Sequence, residues 1–434
     1  MALGLTVPYP YVGVLLWSWF ALEQPHRDVY GFAQTAPLNF VLAIVTIGAW
    51  LLSRERKTAP GGFIFWMLVI FLLWMAINTY FAFNLEQSWP IWDRTWKTFA
   101  LGFAVAAMST TRVRMYALVW SVVIALFYYG VKGGLFTILT GGHFIVQGPA
   151  ETLIGDNNQL ATALLMVLPL ANYLRGQVAD RRISLLLLAG IGLTIIAVVG
   201  SYSRGALIGL GALGLFMLLR LRNRFVYLAA AAVLGLFIIN FMPESFFHRA
   251  ATISETADLS GTSSNEMDAS FEGRLDAWRV AFGYASDHFP FGAGFSALQI
   301  PQLYNHYSPT GKPHAAHSIY FEVLGDHGFV GLAIYLIILA AAFFKCSRIM
   351  SLTKGAPERR WAYELALAIQ ASLFVFCVAG AALSLAYYDL FIIDLAILLP
   401  LWAVARSALK TPKWAPASAA LPQMVHRRNE AETG

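Results

Sequence analysis

Long apolar runs separated by short polar connections dominate this chain. Most runs are apolar all round, which is the pattern of helices that face lipid rather than that of a surface helix or a half-buried strand. A membrane span takes about 20 mostly apolar residues. Runs of that kind fall at roughly 6–22, 36–53, 62–83, 96–110, 115–139, 158–174, 183–202, 204–220, 225–242, 317–344, 361–384 and 388–406. The pattern predicts an all-α integral membrane protein of about twelve transmembrane helices, with short amphipathic helices in one long connection. Residues 1–242 would hold helices one to nine, 243–316 the long connection, and 317–406 helices ten to twelve. The tail, 407–434, is rich in Ala and Pro and reads as disordered. The seventh and eighth runs meet in a tight turn at Ser201-Tyr202-Ser203-Arg204-Gly205.

Composition agrees with the pattern. Only 12% of residues are charged and 58% are hydrophobic, whereas a soluble domain carries about 25% charged residues. The first apolar run has no basic segment before it and many spans after it, so it reads as a span and not as a cleaved signal peptide. Cys346 and Cys377 lie in or beside apolar runs, far from the long connection, and point neither to a disulfide framework nor to a nucleophile. The placement of positive charge matters more than the net charge of +6. Of the 30 Lys and Arg residues, 21 fall in one alternate set of connections plus the tail, from Arg54 to Arg428. The other side holds Arg27, Arg94, Lys97, Lys132, Arg204, Arg249, Arg274, Arg279 and Lys312. This bias puts both termini in the cytoplasm and the long connection outside it.

Charge on the extracytoplasmic side then needs a reason. His248, His288, His306, His314, His317 and His327 all come from the long connection or the start of the next helix. Ser270–Arg279 reads as the start of an amphipathic helix, with Arg274 and Trp278 four apart on one face and Asp276 and Arg279 spaced to pair. The Pro290–Gly294 turn ends that helix. Its arginines would serve a polar ligand, pair with Glu272 or Asp276, or bind lipid phosphates. Arg204 would either hold a phosphate bidentately or snorkel to anchor a helix end. His314 and His317, at the start of a membrane helix, fit a general base, a structural histidine or a metal pair. The metal reading lacks a third ligand, because the nearest acids, Glu266 and Asp268, lie in a stretch that reads as flexible.

These residues resemble the O-antigen ligase and polymerase superfamily of bacterial envelope glycan enzymes. The resemblance rests on Ser203-Arg204-Gly205 at a span start, Gly273-Arg274 with Trp278, the Pro290–Gly294 turn, and His317-Ser318 with Gly328 eleven residues beyond the histidine. It runs from about Asp156 to Gly331, and the twelve-span plan extends it. Pro25-His26-Arg27 with Gly31-Phe32-Ala33 is similar to a ligase subgroup associated with exosortase systems. The resemblance implies a GT-C-like fold. It also implies an O-antigen ligase that moves a glycan from undecaprenyl diphosphate to a sugar hydroxyl of lipid A-core, at the periplasmic face and without metal or other cofactor. On it, His317 is the general base, Arg204 and Arg274 bind the diphosphate, and His314, Arg279, Trp278 and Tyr202 contact substrate. The partners implied are the lipid-linked donor, the lipid A-core acceptor and membrane lipids, with no nucleic acid. A surface-polysaccharide polymerase and a protein O-oligosaccharyltransferase would share the motifs. A lipid-linked glycan transporter would instead show inverted repeats and midplane charges on several helices.

Overall fold

The computed structural model describes residues 2–28, 31, 36–55, 57, 60–220, 265–309 and 311–407. The expected span at 225–242, the tail beyond Ser407, His248 and Arg249 lie outside them. Helices α1 (Ala2–Thr6), α2 (Pro10–Glu23), α3 (Leu38–Leu52), α4 (Phe63–Tyr80), α5 (Leu85–Met108) and α6 (Arg112–Leu139) come first. Then follow α7 (Asn157–Gln177), α8 (Arg181–Gly200), α9 (Arg204–Arg220), α10 (Asn265–Asp287) and α11 (Pro301–Tyr307). The last are α12 (Ile319–Thr353), α13 (Arg360–Gly380) and α14 (Asp389–Ser407). Among the described residues there is no strand.

Among the described residues, six helices are long and apolar enough to cross a membrane: α4, α6, α8, α12, α13 with the 3-10 turn before it, and α14. This is the architecture of a multi-pass membrane protein. Between helices that all face lipid, association relies on close packing of small residues. Accordingly Gly130 and Gly134 of α6 lie against Thr194 and Leu193 of α8, and a Cβ at Gly134 would overlap the Leu193 carbonyl.

Four boundaries differ from the hydrophobic pattern. Helix α5 begins at Leu85, not near residue 96. Its first three turns carry Asp93, Arg94 and Lys97, so no apolar run announces them; the Asn84 side chain caps the helix by accepting from the Gln87 N–H at 3.1 Å. The first span breaks at residues 7–9, ahead of Pro10, which is the first residue of α2. Helix α10 starts at Asn265, so Glu266 and Asp268 are helical and not in a flexible stretch; no Gly or Pro interrupts 265–272. Helix α13 stops at Gly380, so residues 381–388, taken in the sequence as the end of one span and the start of another, form a polar-bonded strap instead.

Residues 290–300 dock onto α12. Gly328 leaves helical geometry at φ 69° and ψ −173°, a conformation that suits only glycine. A Cβ there would meet the Pro290 carbonyl oxygen at 2.5 Å. The Ala293 N–H donates to the Gly325 carbonyl at 2.8 Å, and the Gly294 N–H to that of Asp326 at 3.0 Å. Asp326, buried, accepts from the Ser296 N–H and the Tyr387 hydroxyl. The Pro290–Gly294 turn and Gly328 are therefore two halves of one joint, which seats the segment between α10 and α11 on α12.

Candidate active site

Three chain segments meet around His317. The first is the 201–204 turn. Tyr202 has φ 55° and its hydroxyl donates to the Gly142 carbonyl. Asn157 Nδ2 donates to the Ser201 carbonyl at 2.7 Å, tying the turn to the start of α7. Arg204, the first residue of α9, is exposed. The second segment is α10, which carries Gly273, Arg274 and Trp278. The third is 314–318, which leads into α12.

Tight packing fixes the second segment to the third. A Cβ on Gly273 would lie 2.8 Å from His314 Nε2, so the bare backbone of α10 packs directly against the histidine ring. The Trp278 indole N–H donates to the Ala316 carbonyl at 2.8 Å. Its ring stacks on Phe321 with centroids 4.6 Å apart. His317 has φ 45°, and its backbone N–H donates to Ser384 Oγ at 3.0 Å. Ser384 in turn accepts at its carbonyl from Gln159 Nε2, at 2.8 Å. A histidine in the left-handed region costs free energy, and here it is held from both sides.

The electrostatics follow from this grouping. Arg274 is half-buried; desolvation, and then the charge of Arg204, lower its pKa, although a guanidinium stays protonated. Neither Arg204 nor Arg274 has a hydrogen bond or ion pair to a described residue. Arg274 is thus not neutralised by Glu272 or Asp276. Two like charges that feel each other, with no counter-ion among the described residues, favour a bound anion. The His317 ring is exposed, yet its surroundings displace enough water to lower its pKa from the ordinary 6.5. Arg274 lowers it further, Asp156 opposes, and His314 adds to the lowering. The neutral imidazole, the form that accepts a proton, is therefore favoured.

Not every expected residue joins the group. Arg279 projects from another side of α10, is exposed, and pairs with Asp276 at 2.9 Å; five residues from Arg274 is well over a quarter turn away on a helix. Trp278 and Tyr202 spend their polar atoms on backbone carbonyls and build the site's frame. Asp156 and Ser384 were not foreseen. Asp156 caps α7, accepting from the Asn158 N–H at 2.8 Å, and lies within electrostatic reach of His317. An Asp before Asn-Asn at a helix start is legible as a cap, but not as a neighbour of a histidine 161 residues away. Among the described residues no group of three or more His, Cys, Asp or Glu is placed to hold a metal ion. A groove of about 420 Å³ is lined by Tyr129, Lys132, Phe136, Ile145 and Val146 among others, and the loop that forms one wall bonds to the end of α8 through the Val146 N–H and the Gly200 carbonyl.

Residues 189–336 match the family model for O-antigen ligase, and residues 1–179 match a family of unknown function (DUF5935). No curated protein matches the chain.

Proposed function

We propose that this chain, a member of the O-antigen ligase family through its 189–336 segment, transfers an O-antigen glycan from undecaprenyl diphosphate to a sugar hydroxyl of lipid A-core. The observation that carries this reading is the convergence of Arg204, Arg274 and His317, with neither guanidinium paired to a described residue. Arg204 and Arg274 bind the donor's diphosphate. His317 accepts the proton of the acceptor hydroxyl as its oxygen forms the new bond to the anomeric carbon. The bond from that carbon to the diphosphate oxygen breaks, and the diphosphate leaves with the electron pair between the two arginines. Fixed guanidinium groups at a partly desolvated site stabilise that charge without reorganisation. Attack opposite the leaving group inverts the anomeric centre. The groove beside the 140–156 loop suits the prenyl chain, with apolar walls from Phe136, Ile145 and Val146.

The charge bias along the sequence supports an inner-membrane protein of about twelve spans, with cytoplasmic termini and this site on the periplasmic side. The test is a cell whose only copy carries His317→Asn, with membrane insertion confirmed. Loss of polymer on the lipid core, with carrier-linked polymer accumulating, supports the ligase reading. Loss of polymer on the carrier itself indicates a polymerase, and normal capping of the core removes His317 as base.

A further inference from the structure

Arg94 belongs to α5, inside the 1–179 segment whose family has no known function. On a helix of 3.6 residues per turn, Gln87, Arg94, Thr98 and Leu101 lie along one narrow face. Gln87 Nε2 donates to the Ser296 carbonyl at 3.2 Å, Thr98 Oγ1 donates to Asp389 Oδ1 at 2.8 Å, and Leu101 is buried. This face therefore points into the bundle, toward α12 and α14. Arg94 lies within electrostatic reach of Asp389 and Glu322, yet it has no hydrogen bond or ion pair to a described residue. It is also exposed. An inward-facing arginine that no described residue pairs, within electrostatic reach of two carboxylates, marks a polar space between α5, α12 and α14, and a charge at such a position is functional by default.

The strap at 381–388 connects that space to His317. Ala382 packs at Gly205, next to Arg204, with Ala382 Cβ 3.3 Å from where a Gly205 Cβ would be. Ser384 holds the His317 N–H. Ala386 donates its N–H to Glu322 Oε2 at 3.0 Å, and the strap ends at Asp389, the first residue of α14. The order along the strap is Arg204, His317, Glu322, Asp389. Arg94 and the two carboxylates thus lie beyond the base, on the side away from the proposed diphosphate. In a displacement with inversion, the acceptor approaches from that side.

We propose that Arg94, Glu322 and Asp389 form an acceptor subsite for a neutral, hydroxyl-rich sugar. One guanidinium beside two carboxyl groups suits a sugar: each carboxyl has an oxygen beyond the one that accepts from Thr98 or Ala386 to meet a hydroxyl, and Arg94 donates to ring or hydroxyl oxygens. The 1–179 segment then contributes part of the binding site. This rests on the glycosyl-transfer reading above.

The experiment uses the full chain in lipid nanodiscs, with purified core glycolipid and its deacylated core oligosaccharide as probes. Arg94→Gln raises the KM for the acceptor about tenfold, the scale of one lost charge-assisted hydrogen bond, and leaves the KM for the donor unchanged. Direct binding of the oligosaccharide weakens by the same factor. Arg94→Lys keeps the positive charge, and with it the fold, if Arg94→Gln lowers the melting temperature; it too weakens the acceptor. Normal acceptor affinity in a folded variant, or a rise in donor KM instead, overturns the proposal. Oligosaccharide binding that depends on Arg94 in a wild-type protein that transfers nothing would leave the subsite standing and sink the ligase reading.

Discussion

The indole N–H of Trp278 donates to the carbonyl of Ala316 at 2.8 Å, one residue before His317. This bond joins the helix that carries Arg274 to the backbone that presents the histidine, so the proposed anion-binding side and the proposed base are aligned by one tryptophan. Trp278→Phe retains the stack on Phe321 but loses the bond. A neutral hydrogen bond contributes about 1 kcal/mol, so folding should survive. We expect kcat to fall severalfold with donor KM near wild type, measured by transfer in reconstituted vesicles. A rise in donor KM with unchanged kcat would instead make Trp278 a substrate contact.

His317→Asn should lower transfer by about 10²–10⁴-fold, the range for loss of a general base. Asn is the variant of choice because it tolerates the left-handed backbone found here at φ 45° better than Ala does. A melting temperature near wild type beside this loss separates chemistry from misfolding.

The pH profile reports the surroundings of His317. Desolvation and Arg274 hold its pKa below 6.5, so the imidazole is neutral, and competent as a base, down to a pH below that value. Activity is lost as pH falls through the lowered pKa. Arg274→Gln removes the larger of the two positive charges' effects and lets the pKa rise. The acid limb of kcat/KM should therefore move to higher pH as the maximal rate falls. A limb that stays in place, or moves to lower pH, rules out His317 as the titrating group.

Arg204→Lys keeps the charge but loses the planar fork that grips two phosphate oxygens. We expect at least tenfold weaker donor binding, by displacement of a labelled polyprenyl diphosphate. A near-neutral effect would mean that Arg204 only anchors the end of α9.

Arg279→Ala is the contrasting case. Its ion pair with Asp276 is exposed, and such pairs contribute about 0–1 kcal/mol. Transfer and melting temperature should both stay near wild type, and a tenfold loss of transfer would return Arg279 to the site.

The sequence by itself determined the helical class and most of the long helices, and it pointed to Arg204, Arg274 and His317, which the structure brings into one group. Hydrophobic runs of about 20 residues are local, and a charge or histidine breaking them stands out against an apolar background, so both signals survive without tertiary context. Only the tertiary structure decided which polar residues share a space. Asp156 reads as a helix cap and Arg94 as a charge at a helix start, because nothing within a turn of either marks a partner far along the chain. Ser384 and Ala386 read as part of a span, since Leu383, Leu385 and their neighbours are apolar; the break at Gly380 appears once the Ser384 hydroxyl bonds to the His317 backbone and the Ala386 N–H to Glu322. Trp278 and Tyr202 were legible as site residues but not as framework, because only folding brings the Ala316 and Gly142 carbonyls within hydrogen-bonding reach of them.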